Sequence, residues 1–336
     1  MRILILGGTK FVGRHLVEAA LAGGHDLTLF NRGREAPNLF PEIEKLRGDR
    51  DGGLNALRGR RWDAVIDTCG YVPRVVQASA TALADAVDRY IFVSSLSVYA
   101  GRGKPWTDET GDLAKIEDET VEKVTGETYG GLKVLCERAA EEALPGRVLT
   151  LRPGVLVGPF DGTDRFTYWP HRVNQGGAVL APGRPQRGIQ FTDARDLADW
   201  TIDMVERRAV GIYNVQGPEE PLPMGAFLET CRSAGGGGAE LVWVDDAFLE
   251  AQGVEPWDDL PFWQPEGDHT AGFFAFDARK ARAEGLRFRA LETTVRDVLA
   301  WDATRGADHE LRTGWSRERE AEVLQAWRQA KAPVSL

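Results

Sequence analysis

The chain has 336 residues, of which 43% are apolar and 27% charged, the balance of an ordinary soluble globular protein with one large or two modest domains. Its formal net charge of −10 counts against a nucleic-acid binder, which needs a surplus of Lys and Arg on one face, but leaves small anionic ligands open. Cys69, Cys136 and Cys231 show no CxxC spacing, which argues against a disulfide frame or a metal site and fits a reduced cytoplasmic protein, and no run reaches the roughly 18 apolar residues of a membrane span.

Apolar strand-like runs alternate with helical patterns through the first half. Ile3–Leu6 leads into a helix over Val12–Ala22, "HDLTLFNRG" reads as a second strand, and "LRGDRDG" closes a short third. "DAVIDTCGY" is a fourth strand before the helical "VVQASATALADAV". "RYIFVSSLSVYA" is a fifth before the helical "YGGLKVLCERAAEEAL", and "VLTLRPGVLVG" a sixth. This rhythm implies right-handed βαβ units and hence an α/β fold of Rossmann type, a doubly wound parallel sheet covered by helices on both faces.

From about residue 156 the rhythm breaks, and Gly, Pro and aromatic residues become frequent. Helical patterns return in "DARDLADWTIDMVERR" and "LETTVRDVLAWDATR", and a charged helix ends the chain, while Gly235–Gly238 reads as a flexible loop. The expected organisation is a dinucleotide-binding domain over residues 1–155, joined by returning segments from the second half. A smaller α/β substrate-binding portion with the C-terminal helix takes residues 156–336.

The turn between the first strand and helix reads Gly7-Gly8-Thr9-Lys10-Phe11-Val12-Gly13. Such a Gly-rich turn lets backbone N–H groups approach a pyrophosphate at the helix N-terminus, with Gly13 allowing the helix to pack on the sheet. The second strand ends Phe30-Asn31-Arg32-Gly33-Arg34, with no carboxylate at the turn to take the 2′-hydroxyl of NAD. Lys10 and Arg32 can instead approach the 2′-phosphate of NADP from two sides, so NADP is expected over NAD.

"YGGLK" places Tyr129 and Lys133 four residues apart at the start of a helix, on one face. A neighbouring ammonium favours the phenolate, so Tyr129 can exchange a proton with a carbonyl or alcohol near neutral pH. Ser94, Ser95 and Ser97 stand where the fifth strand ends, at the carboxyl edge of the sheet where ligands bind. One of Ser94 and Ser95 is expected to do no more than satisfy the turn.

The ordered set "GGTKFVG", "GDRDG", "VIDTCGY", "VSSLSVYA", "YGGLK", "LRPGVLVGP" and "QFTDARDLADW" resembles the extended or atypical short-chain dehydrogenase/reductase superfamily, near its epimerase/dehydratase members, over about residues 1 to 300. The resemblance implies Tyr129 as acid/base, Lys133 as the residue that binds the nicotinamide ribose and lowers the tyrosine pKa, and Ser95 as the carbonyl-orienting group, with Ser97 a weaker candidate. It also implies cofactor contacts at Asp49 and Arg50 by the adenine, at Cys69 and Gly70, and at Pro153 and Gly154. Two positions depart from the family pattern. Lys10 replaces a glycine, and Ile189 stands where nucleotide-sugar members tend to carry an arginine, with Arg187 two residues away.

Eight of the ten tryptophans lie beyond residue 150. Trp200 and Trp301 fall in helical patterns and suit core packing, whereas Trp169, Trp257 and Trp263 sit in loop-like stretches. Trp169 and Trp263 are expected either to line a pocket for a flat or apolar substrate or to form a satellite cluster. His171 reads as a structural polar residue.

The leading expectation is an NADP-dependent oxidoreductase moving hydride between nicotinamide and a carbonyl or alcohol carbon of a small molecule, as a cytoplasmic monomer or homodimer. The alternatives are an epimerase or dehydratase that retains NAD(P) on a sugar-like substrate, and a non-enzymatic RNA-binding or cofactor-sensing relative.

Overall fold

The computed structural model describes residues 1–332 except Arg102, Gly237 and Ala307, so part of the Gly235–Gly238 run lies outside the described residues. The chain divides into two compact units. The first comprises residues 1–156, 192–219 and 276–288, and the second residues 157–191, 220–275 and 289–336.

The first unit carries β1 (Arg2–Leu6), α1 (Phe11–Ala22), β2 (Asp26–Asn31), β3 (Glu44–Arg47), β4 (Trp62–Asp67), α2 (Pro73–Leu83), β5 (Val87–Val93), α3 (Tyr129–Ala143), β6 (Val148–Pro153), α4 (Ala194–Glu206) and β7 (Gly211–Val215). The strands form one seven-stranded sheet in the order β7-β6-β5-β4-β1-β2-β3. Every neighbouring pair is parallel, with Ile3 opposite Ala64 on one side of β1 and Leu27 on the other. This is the doubly wound order, in which the strand order reverses between β1 and β4 and opens a crevice at the strands' carboxyl ends.

Strands buried on both faces read as continuous apolar runs, and β1, "RILIL", shows why. Ile3 and Ile5 join one core layer with Leu16, Val17 and Ala20 of α1 and Leu197 and Ala198 of α4. Leu4 and Leu6 join the opposite layer with Val76 and Ala80 of α2 and Cys136 and Ala140 of α3. The seventh strand, "GIYNV", goes beyond the six read from the sequence. It comes from the returning segment and pairs with β6, Tyr213 opposite Leu151.

In the second unit, strand Gly177–Pro182 pairs in parallel with Ala239–Val244. Helices Tyr168–Asn174, Met224–Ala234, Leu291–Ala303 and Arg317–Lys331 accompany them. Its interior is aromatic: the Phe166 ring centroid lies 5.0 Å from Phe227, and Phe262 lies 6.0 Å from Phe274. Among the described residues no helix is long and apolar enough to cross a membrane.

Candidate active site

The loop from β1 to α1 is shaped for a close approach. Gly7 and Gly8 take φ of +109° and +87°, a region that side-chain-bearing residues rarely adopt, and a Cβ on Gly7 would stand 2.5 Å from Thr68 Oγ1. Gly13 has no room for a side chain, since its Cβ would fall 2.8 Å from the Gly8 backbone nitrogen. Lys10, where the resemblance leads one to expect a glycine, has an ordinary extended backbone (φ −123°, ψ 141°) and makes no side-chain cap on α1. A side chain is therefore tolerated there, and the first-turn N–H groups of a twelve-residue helix face the loop without a capping side chain.

These groups border a cavity of about 510 Å³ whose wall includes Gly7 to Gly13, Asn31, Arg32, Asp49, Arg50 and Cys69. Phe30, Arg34, Glu35, Thr68 and Tyr71 also line it and were not foreseen. Arg34 and Glu35 follow directly on the strand-two turn, so charge beyond the turn was the missed signal. The glycine cradle, the uncapped helix and the cationic rim fit the pyrophosphate and adenosine of a dinucleotide.

Two of the expected contacts are committed elsewhere. Arg50 reaches inward and clamps the fully buried Asp67, Nη1 to Oδ1 at 2.6 Å and Nη2 to Oδ2 at 2.7 Å, and also donates to Ser79 Oγ at 2.7 Å. Tyr90 Oη donates to Asp67 Oδ2 at 2.7 Å and the Cys69 N–H to Oδ1 at 3.1 Å. Burial opposes ionisation of Asp67, but the Arg50 charge and these hydrogen bonds outweigh it and hold the carboxyl below its usual range. The Cys69 thiol is pushed up, chiefly by burial and then by Asp67, so it is no nucleophile. Asn31 works within the loop: its Nδ2 donates to the Gly7 carbonyl at 3.0 Å, and its Oδ1 accepts from the Gly33 N–H at 3.0 Å and from Arg47.

At the exit of β5, three consecutive residues each engage a different residue of α3. Lys133 Nζ donates to the Val93 carbonyl at 2.7 Å, Ser94 Oγ donates to Glu137, and the Ser95 hydroxyl lies near enough to the Tyr129 phenol to pull its pKa down. Residues 129, 133 and 137 recur every fourth position, so one helix face addresses the whole strand exit. Ser94 is thus the serine with the structural task. Its partner Glu137 is held in turn by Arg152, Nε to Oε1 at 3.0 Å and Nη2 to Oε2 at 2.7 Å.

Lys133 is buried, donates also to the Gly70 carbonyl at 2.8 Å, and lies 4.3 Å from the centre of the Phe92 ring. Burial brings its pKa down to about 8. The Tyr129 pKa is pushed up, first by burial, with the nearby Ser95 hydroxyl pulling the other way and Cys136 adding to the rise. Lys133 is not among the groups that move it, so the geometry gives this ammonium a different first task, tying β4's exit to β5's. Ser95 Oγ accepts the Ser97 N–H at 3.1 Å. The Tyr71 ring, on the cavity wall, lies 6.5 Å from the Tyr129 ring and links cavity to tyrosine.

Other expected residues fall away from the cavity. Pro153 and Gly154 are not on its wall; Gly154 packs on Gln216, and its N–H donates to Val215 O at 3.1 Å. Trp169 and Trp263 do not line a pocket: both are 0% exposed, with indole N–H groups donating to Pro261 O at 2.8 Å and Asp246 Oδ1 at 2.9 Å. Pro170 sits in the first turn of its helix, where proline is tolerated, so the stretch read as a loop packs as a helix. Trp257 joins the aromatic cluster, 5.4 Å from Phe273. His171 Nδ1 pairs with Asp302 at 2.6 Å. Arg187 is buried against Asp246 and borders a second cavity of about 360 Å³ in its own unit, while Ile189 is fully buried.

The model of the NAD dependent epimerase/dehydratase family matches residues 60–215, from β4 through β7. Human epimerase family protein SDR39U1 with NADPH has the same fold, at 20% identity and a TM-score of 0.60 over 89% of this chain and 99% of that one. The chain thus shares the fold of an epimerase family protein, and its residues 60–215 match the epimerase/dehydratase family model. The UDP-Glc/GlcNAc 4-epimerase of Campylobacter jejuni also has this fold, with a TM-score of 0.68 at 16% identity, covering 90% of this chain and 99% of that one. Among curated relatives, chloroplast stem-loop binding protein of 41 kDa b from Arabidopsis thaliana is 25% identical over 70% of this chain, a match that spans 63% of that protein. Epimerase family protein SDR39U1 from Bos taurus is 27% identical over 70% of this chain and 80% of its own length. Among solved structures of this fold, UDP-glucuronic acid 4-epimerase from Bacillus cereus is in complex with NAD and human SDR39U1 with NADPH.

Proposed function

We propose that the chain is an NADP(H)-dependent oxidoreductase acting on a carbonyl or alcohol carbon of a small molecule. The observation that carries this reading is the exit of β5, where Val93, Ser94 and Ser95 meet Lys133, Glu137 and Tyr129 of one α3 face, with Ser95 near enough to the phenol to lower its pKa. The Gly7–Gly13 loop and the uncapped start of α1 would hold the pyrophosphate, with Lys10, Arg32 and Arg34 at the ribose end. When bound, the nicotinamide supplies or accepts a hydride.

Tyr129 is protonated at neutral pH, because burial pushes its phenol up. It gives its proton to the oxygen of the carbonyl being reduced and takes one from the alcohol in the reverse direction. Ser95, whose Oγ is fixed by the Ser97 N–H, directs its hydroxyl hydrogen at the same oxygen. Lys133 holds the Gly70 and Val93 carbonyls with two of its three N–H donors, which leaves one for a ribose hydroxyl.

A panel of aldehydes and ketones with NADPH, followed at the nicotinamide absorbance, tests the reading. Net NADPH consumption that depends on Tyr129 supports it. NAD(P) retained through purification, with no net consumption on any compound, points instead to an epimerase or dehydratase that oxidises and re-reduces one substrate.

Stem-loop binding is a second reading, favoured by the name of the Arabidopsis relative and opposed by the net charge of −10. Titration with a structured RNA decides it. Submicromolar affinity that falls steeply with salt would replace the enzymatic reading.

A further inference from the structure

The rim of the cavity carries an ion pair that bears on cofactor choice. Lys10 Nζ lies 3.0 Å from Glu35 Oε1, with the two side chains 71% and 57% exposed. Both residues line the cavity, together with Arg32 and Arg34. The loop after β2 delivers the carboxylate there. Gly33 turns with φ +72°, its N–H held by Asn31 Oδ1, while Asn31 Nδ2 is bonded to the Gly7 carbonyl. Lys10 and Glu35 are therefore borne by two loops that are tied to each other.

We infer that Glu35 sets the cofactor preference of this site: it occupies Lys10, and it offers a carboxylate to a free ribose hydroxyl. The inference rests on the NADP(H) reading above and assigns the opposing residue. A 2′-phosphate needs the Lys10 donors and is repelled by the Glu35 charge. A 2′-hydroxyl carries no charge and donates a hydrogen bond that the carboxylate accepts. Glu35 thus acts on the two cofactors in opposite directions. An ion pair this exposed is weak enough for the phosphate to displace, so NADP(H) still binds, with a narrowed margin over NAD(H).

The experiment measures dissociation constants of NADPH and NADH by calorimetry for the full chain and for Glu35→Gln. The fragments 2′,5′-ADP and 5′-AMP serve as probes of the ribose end. Unchanged melting temperature confirms that the variant is folded, as expected for an exposed pair. Glu35→Gln should tighten NADPH and 2′,5′-ADP by about three- to tenfold and leave NADH and 5′-AMP unchanged or slightly weaker. Raising the salt concentration should shrink the gain. Glu35→Asp should stay near the parent. A Glu35→Gln variant whose NADPH and NADH constants move by the same factor, or by less than about twofold, overturns the assignment while the NADP(H) reading stands. A parent chain that binds neither cofactor overturns both.

Discussion

Lys133 Nζ lies 2.7 Å from the carbonyl oxygen of Val93 on a side chain buried from solvent, and burial lowers its pKa from the ordinary 10.5 to about 8. Between those two values the unfolded chain carries a proton on this lysine and the folded chain does not. Stability from this group therefore rises with pH across that window, and the penalty for burying the charge is fully present below about 8. Urea unfolding of the parent and of Lys133→Met, each at pH 7.5 and pH 10 (roughly the two ends of that window), isolates the effect. The parent should gain on the variant by up to roughly 3 kcal/mol between the two conditions. A difference that stays flat would show that the ammonium is not desolvated as its contacts imply.

The pairing of Ser95 with Tyr129 makes a separate prediction. Once a carbonyl compound is found that NADPH reduces, Tyr129→Phe should lower turnover by about 10²–10⁴-fold and leave the NADPH dissociation constant nearly unchanged. Ser95→Ala removes the group that pulls the Tyr129 pKa down, so its basic pH limb should move to higher pH. Full turnover by Tyr129→Phe would remove the proposed acid.

Asp67 and Arg50 are a buried pair whose value shows when it is broken. Asp67→Asn leaves a guanidinium buried with no counter-charge, and should destabilise the first unit by about 3–5 kcal/mol in urea unfolding. Its contribution is present above the ordinary carboxylate range and is lost as the pH falls through the depressed value. A loss under about 1 kcal/mol would mean that solvent reaches Arg50 once the carboxylate is gone.

The first βαβ turn was legible because its signals are local: an apolar run, glycines at fixed positions and a helix period directly after. The α3 face was legible for the same reason, since Tyr129, Lys133 and Glu137 repeat at one helical interval. What stayed hidden depends on distant partners. Arg50 and Asp67 are seventeen residues apart in sequence, and only the sheet brings the loop after β3 back over the end of β4. The strand Gly211–Val215 is short and starts on exposed residues, and its partner β6 lies some sixty residues earlier, so no hairpin or repeat announces it. Trp169 and Trp263 show how proline-rich surroundings mimic a loop when the aromatic rings are in fact the interior of a unit. Glu35 was missed because its place on the rim depends on the Gly33 turn, which no periodicity reports.

The most direct test of the account is a calorimetric titration of the parent chain with NADPH and with NADH under identical salt. The Gly13→Ala variant serves as the control, since its added Cβ meets the Gly8 backbone at 2.8 Å. The account predicts that both cofactors bind, that NADPH binds tighter by about tenfold through charge-assisted contacts to the 2′-phosphate, and that Gly13→Ala weakens both. Equal affinities would deny Lys10 and Arg32 their role. No binding of either cofactor would contradict the claim that this loop holds a dinucleotide at all.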